Sequence, residues 1–139
     1  MILETKKAIL SNLKTAFPDH KLYGEKVVQG LVRPCFFVDI IPIDVEKINS
    51  TMKSRSIMVD VQYMSKEDTK QKNLEMSEKL IDVFEKLTLV DKDVNPINQR
   101  FEFIDGILHF LFDLDVFIVY KETNTGPLMG QINLNGGVS

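Results

Sequence analysis

The chain has 139 residues, 44% hydrophobic and 27% charged, which fits one domain able to bury its own core and argues against a mainly disordered chain. No apolar run approaches the ~20 residues of a membrane-spanning helix, and Glu4, Lys6 and Lys7 leave no signal-peptide hydrophobic region near the start. Seventeen basic residues against twenty acidic ones give a net charge of −3, and with no basic block and no tryptophan this argues against a dedicated nucleic-acid binder.

The first segment predicts an amphipathic helix. Ile2, Leu3, Lys6, Ile9, Leu10, Leu13, Ala16 and Phe17 recur at steps of three and four, while Lys7, Asn12 and Lys14 fall on the other side. Pro18 ends it, because the residue before a proline is pushed out of helical geometry. A short extended piece follows from Lys21 to Val28, with Gly24 as a bend and Gly30 closing it. Cys35 to Val45 is dense in Phe, Val and Ile, which favours a strand. Cys35, alone in the chain, makes neither an internal disulfide nor a zinc site, and packs there as a small apolar residue. Pro42 marks this end as an edge or a bulge, since proline cannot donate to a ladder. After the polar stretch Glu46 to Ser54, Ile57, Val59, Val61 and Tyr63 alternate with Ser56, Met58, Asp60 and Gln62 as in a half-buried strand. The two runs are expected to form a hairpin with a long, charged, mobile tip.

Ser65, with Asp68 three residues on, reads as a capping arrangement at a helix start. The helix is expected to reach about Leu87, with Leu74, Ser77, Leu80, Ile81, Phe84 and Leu87 inward and the Glu75–Lys79 pair outward. A turn region spans Asp91 to Pro96. Gln99 to Ile104 then leads into Asp105-Gly106, a tight hairpin signal, and the strongest strand of the chain. One face of it carries Leu108, Phe110, Phe112, Leu114, Val116, Ile118 and Tyr120; the other carries Ile107, His109, Leu111, Asp113, Asp115, Phe117 and Val119. At about 1.5–3 kcal/mol per buried large apolar side chain, the first face should dominate the core. The second is mixed, and is expected to be covered partly by a partner. The expected fold class is α+β: a mainly antiparallel sheet of four to five strands with two helices packed on one face, in the order α-β-β-β-α-β-β.

Residues 1–122 are expected to form a single domain and 123–139 an uncharged arm that contains glycine. Glycine-rich ends usually stay mobile, yet Leu128, Met129, Ile132, Leu134 and Val138 give this one something to bury. The arm is therefore expected to order against another subunit or partner. Candidate contact residues are Glu46, Lys47, Met52, Lys53 and Arg55 on the hairpin, His109, Asp113 and Asp115 on the mixed strand face, and Leu128, Met129, Ile132 and Leu134 on the arm.

Catalytic chemistry finds little support. His20 follows Pro18-Asp19 and reads as an exposed loop residue. His109 and Asp113 share a strand face but lie about 13 Å apart on a straight strand, too far for a shared metal. Asp113 and Asp115 have no accompanying acid, nucleophile or positioning group. A thiolate at Cys35 is disfavoured in an apolar strand, and the scattered glycines form no phosphate loop. No enzyme, cofactor or metal is expected.

Four phrases are telling: AFPDHKLYGEKVVQGLVRPCFFVDI at 16–40, IMVDVQYMSK at 57–66, LEMSEKLIDVFEKL at 74–87 and FEFIDGILHFLFDLDV at 101–116. With them the chain resembles, over residues 1 to about 120, the tail terminator (tail completion) proteins of tailed bacteriophages and prophages of Gram-positive bacteria. The resemblance implies a structural protein made in the host cytoplasm and carried in a virion or a tail-like bacteriocin particle. It implies a ring of this chain, usually a hexamer, on the head-proximal end of the tail tube, where it stops polymerisation. Its implied partners are further copies of itself, the tail tube protein, a neck, collar or head-completion protein and, in a contractile tail, the sheath. No membrane partner is implied, and DNA would only pass through the channel without specificity. Two other readings stay open: a neck connector or stopper of the same particle, and a small cytosolic ligand-binding or regulatory domain.

Overall fold

The computed structural model describes residues 2–25, 30–67, 69–89 and 92–119. In chain order the elements are α1 (Ile2–Ala16), β1 (Lys21–Tyr23), β2 (Cys35–Lys47), β3 (Met52–Met64), α2 (Lys70–Val83), β4 (Leu87–Leu89), β5 (Lys92–Val94), β6 (Ile97–Ile104) and β7 (Ile107–Val119). The fold is α+β. Its five-stranded open sheet has the order β1-β2-β3-β7-β6 and is mostly antiparallel. β6 and β7 pair antiparallel, whereas β1 lies parallel to β2 with Lys21 opposite Cys35. The described residues divide into two compact units, one within 2–42 and 57–114 and one within 43–56 and 115–119.

In the first unit, the alternation along β3 and β7 sets the core. Ile57, Val59, Val61 and Tyr63 are buried, as are Leu108, Phe110, Phe112 and Leu114. Both helices pack on this face through aromatic contacts. Phe17, just past α1, lies 5.1 Å from Phe36 between ring centroids, and Phe36 lies 5.2 Å from Tyr63. Phe84, the C-cap of α2, lies 5.8 Å from Phe110 and 5.3 Å from Phe112. The β6–β7 turn behaves as its Asp-Gly dipeptide predicts. Asp105 (φ 51°) and Gly106 (φ 79°) both adopt left-handed backbone, as a two-residue I′ turn requires.

Both helices bury part of the expected face, with Ile9, Leu13 and Phe17 and then Leu80 and Phe84 inward, but each is turned so that other expected residues face out. α1 buries Thr5, Ile9, Leu13 and, beyond its end, Phe17, a strict four-residue ladder that leaves Leu3 exposed. α2 buries Asn73, Met76 and Leu80, followed by Phe84, while Leu74 and Ile81 face outward. The inward face of α2 includes a polar residue because Asn73 Nδ2 donates to the Gly106 carbonyl (3.4 Å), holding the helix to the β6–β7 turn. α2 also begins later than the Ser65 signal. Its N-cap is Thr69, whose hydroxyl accepts from Lys72 N–H (3.3 Å). Ser65 is instead buried, with its carbonyl accepting from Arg33 Nη1 (3.4 Å), and the expected partner Asp68 lies outside the described residues.

The helix ends at Val83, and Leu87 belongs to β4. β4 packs against α1 and pairs with β5 from Leu87↔Val94 to Leu89↔Lys92, so part of the expected turn region is a short hairpin. These strands are too short for alternation to reveal them.

In the second unit, β2 runs to Lys47 and β3 resumes at Met52, so the β2–β3 connection is a tight turn over 48–51. This replaces the long loop expected there. Ile48 and Asn49 N–H groups donate to the Met52 carbonyl (3.0 and 3.2 Å). Asn49 Oδ1 accepts from both Thr51 N–H (2.9 Å) and Thr51 Oγ (3.0 Å), which is the local side-chain bonding that suits Asn to turns. Tyr120 and the arm at 123–139 lie outside the described residues.

Candidate interaction surface

The hairpin end of the second unit is rich in apolar side chains that nothing within the described residues covers. Ile43 is 55% exposed, Val45 53%, Ile48 47% and Phe117 57%. Glu46 and Lys47 are exposed beside them, and Met52, Lys53 and Arg55 on β3 are half-buried. Asp44 Oδ1 accepts from Val45 N–H (2.8 Å), so a strand amide is satisfied by a side chain on its own strand. Asp115 accepts from Ser56 Oγ (2.7 Å), linking β7 to β3. Ile43 and Val45 on β2, Ile48 in the turn after it and Phe117 on β7 are exposed apolar side chains of the kind found at contacts with another chain.

The outer sheet face of the first unit carries the other sequence candidates in two separate clusters. His109 Nδ1 lies 3.1 Å from each carboxylate oxygen of Asp60, and Gln62 Nε2 donates to Asp60 Oδ2 (3.2 Å). An ionised carboxylate only accepts, so this contact places the His109 proton on Nδ1. Asp113 accepts from Asn98 Nδ2 (3.0 Å) and pairs with Arg100 at 3.7 Å. Arg100 also donates to the Asn98 carbonyl (2.7 Å) and lies 3.1 Å from Met58 Sδ. His109 and Asp113 therefore have different partners and form no common site. Asp60, Asn98 and Arg100, which hold them, sit on neighbouring strands. Only the strand register brings these groups together, and the alternation of β3 was the one sequence signal that placed Asp60 on this face. Among the described residues no group of three or more His, Cys, Asp or Glu side chains is arranged to hold a metal ion.

A shallow cavity of about 240 Å³ lies beside α2, lined by His20, Tyr63, Ser65 and Met76 with Lys and Glu side chains at its rim. His20 is half-buried and not the exposed loop residue expected, with ring contacts to Phe17, Phe36 and Tyr63 at 5.5, 5.3 and 5.9 Å. Burial holds its pKa below the ordinary value, Lys79 adds to that, and Asp19 opposes it. Burial raises the Tyr63 hydroxyl, with Glu75 adding to it, and raises the Cys35 thiol against the pull of Arg33. Cys35 is thus kept as a neutral packing group.

The family model for phage tail terminator proteins matches residues 4–127, nearly the whole of the described fold. The chain belongs to the phage tail terminator family. The comparison with curated proteins finds no match. As a member of this family, the chain is a phage tail structural protein. No helix among its described residues is long and apolar enough to cross a membrane. Of its sequence candidates, Leu128, Met129, Ile132 and Leu134 lie outside the described residues and beyond the end of the family match.

Proposed function

We propose that this chain closes into a ring, of six copies by the family resemblance, on the head-proximal end of the tail tube. There it stops tube growth and offers the surface to which neck, collar or head-completion components attach. The observation that carries this reading is the family match over residues 4–127. The exposed apolar hairpin end supports it, because a ring needs a patch that meets a different patch on the next copy. Glu46, Lys47, Met52, Lys53 and Arg55 flank that end, and the mixed face of β7 with His109, Asp113 and Asp115 is a second surface for tube or neck contacts. In a contractile particle the sheath would be a further neighbour, and DNA would pass through the channel without sequence recognition. Such a cap acts by occupying the tube end and requires no chemical step.

The test is a reconstruction of the assembled tail. A closed ring of this chain seated on the last tube layer is the expected result. The same chain found one layer higher, with no contact to the tube, would make it a neck connector and overturn the terminator reading.

A further inference from the structure

Two buried polar atoms without a hydrogen-bond partner sit in side chains that line one cavity. Ser65, which follows β3, is 1% exposed, and its Oγ has no partner among the described residues. His20, just before β1, is half-buried, and its Nδ1 is likewise without one. Both residues line the cavity of about 240 Å³ beside α2. A buried hydroxyl left unpaired costs the fold stability, and what can pair with it there must enter the cavity.

The other lining residues say what kind of group that is. Pro34, Tyr63 and Met76 give the cavity an apolar wall, and the Tyr63 ring lies 5.9 Å from the His20 ring between centroids. The volume exceeds the roughly 150 Å³ that admits benzene to an apolar protein cavity, so an aromatic ring fits. Lys66, Lys72 and Lys79 face Glu67 and Glu75 around it, which leaves one net positive charge. The charges are also segregated. Burial depresses the His20 pKa, Asp19 opposes that and Lys79 adds to it, whereas burial raises the Tyr63 hydroxyl and Glu75 and Glu67 add to that. The cation therefore lies by His20 and the anions by Tyr63, with Asp19 outside the lining. One negative charge near His20 is matched. A phosphate monoester, at about two negative charges, would leave the cavity net negative.

We propose that this cavity binds a monocarboxylate whose apolar body is the size of an aromatic ring. The carboxylate accepts from Ser65 Oγ and His20 Nδ1 beside Lys79, and the body lies against Pro34, Tyr63 and Met76. Such a carboxylate is either free or the C-terminus of a polypeptide ending in an aromatic residue, and the chemistry recognised is the same. All of these residues belong to the first unit, so the inference is independent of how copies assemble.

The test titrates the full-length protein with benzoate and follows the His20 ring, the Ser65 amide and the Met76 methyl by NMR. Saturable shifts at all three are expected, with a dissociation constant of about 1–10 mM for so small a ligand. Benzamide, the same body without the charge, should bind at least about tenfold more weakly. A bound carboxylate favours the imidazolium, so benzoate should raise the His20 pKa and benzamide should not. Lys79→Gln should weaken benzoate about two- to fivefold. Ser65→Ala should weaken it about three- to tenfold and leave the urea midpoint unchanged or higher, because it removes a hydroxyl the fold leaves unpaired. A lower midpoint with unchanged affinity would make Ser65 a structural residue and overturn the proposal. Equal binding of benzamide would overturn it too. N-acetylglycylphenylalanine separates the two sources: tighter binding than benzoate supports a polypeptide C-terminus, and weaker binding a free carboxylate. No saturable shift from either, up to about 50 mM, would leave no carboxylate site.

Discussion

The rotation of α2 makes the sharpest test of the fold. Leu80 is 0% exposed and Leu74 is 49% exposed, although the apolar pattern places both on one inward stripe. Truncating Leu80 to alanine removes buried methyl groups and leaves a cavity against the sheet, a loss of about 2–5 kcal/mol. Leu74→Ala removes a side chain already half in water and gains helix propensity, so its cost should stay below about 1 kcal/mol. Urea unfolding separates these. With a slope near 2 kcal/mol per molar, L80A should lower the midpoint by roughly 1–2.5 M and L74A by under about 0.5 M. Ile81→Ala, at 45% exposure, should behave like L74A. If L74A and I81A cost as much as L80A, the helix buries the other face and the packing around Phe84 is wrong. An unchanged L80A would refute it equally.

Thr69→Ala removes the hydroxyl that accepts from Lys72 N–H and should cost about 0.5–2 kcal/mol in the same assay; an unchanged midpoint would mean that the helix starts elsewhere. Gly106→Ala places a side chain at φ 79°, and a loss of roughly 1–2 kcal/mol is expected from the left-handed penalty. His20 has a folded-state pKa below its ordinary value because of burial, so the unfolded chain binds its proton more readily. Its contribution is therefore present above about pH 6.5 and is lost as pH falls through the folded-state pKa. His20→Phe should flatten that part of the stability–pH curve, and an NMR titration showing His20 at or above the ordinary value would contradict the burial argument.

Where a period lasts long enough, the sequence was readable. β7 shows it best: its even-numbered residues from Leu108 to Val116 are all apolar and all buried, while the odd-numbered face is mixed. The Asp105-Gly106 turn was readable for a local reason, since the dipeptide supplies two left-handed residues. The helices were legible in existence and not in rotation. Each carries more apolar residues than one face can hold, so α1 offers both a Leu3 and a Thr5 side, and tertiary contacts choose between them. Thr5 and Asn73 were missed because hydropathy assigns polar residues to water, whereas Asn73 is held inside by the Gly106 carbonyl. β4 and β5 fell below the length at which alternation carries information. For the candidate surface, the sequence located the hairpin but mistook its character. The residues from Glu46 to Ser54 read as a polar loop, and the apolar exposure of Ile43, Val45 and Ile48 emerges only once β2 is seen to run on to Lys47.

That difference bears on how a structural protein of this kind works. A catalytic site needs polar groups left unsatisfied by the fold and aimed at one point. Here the polar groups of the outer sheet face are mostly engaged with one another within the sheet: Asp60 with His109 and Gln62, and Asp113 with Asn98 through Oδ2 and with Arg100 at 3.7 Å, although Asp113 Oδ1 accepts no hydrogen bond among the described residues. Asp115 is taken in the same way by Ser56. Each pairing is cross-strand or between neighbouring residues, so it fixes register and leaves little charge seeking a partner. What the hairpin end leaves unsatisfied is apolar area and strand edge, at Ile43, Val45, Ile48 and Phe117. Those terms are non-directional or carried by the backbone, and they are additive over a surface. A phage tail structural protein that contacts other tail components is better served by such distributed contacts than by a few convergent groups, and for that reason a search for motifs passes over them.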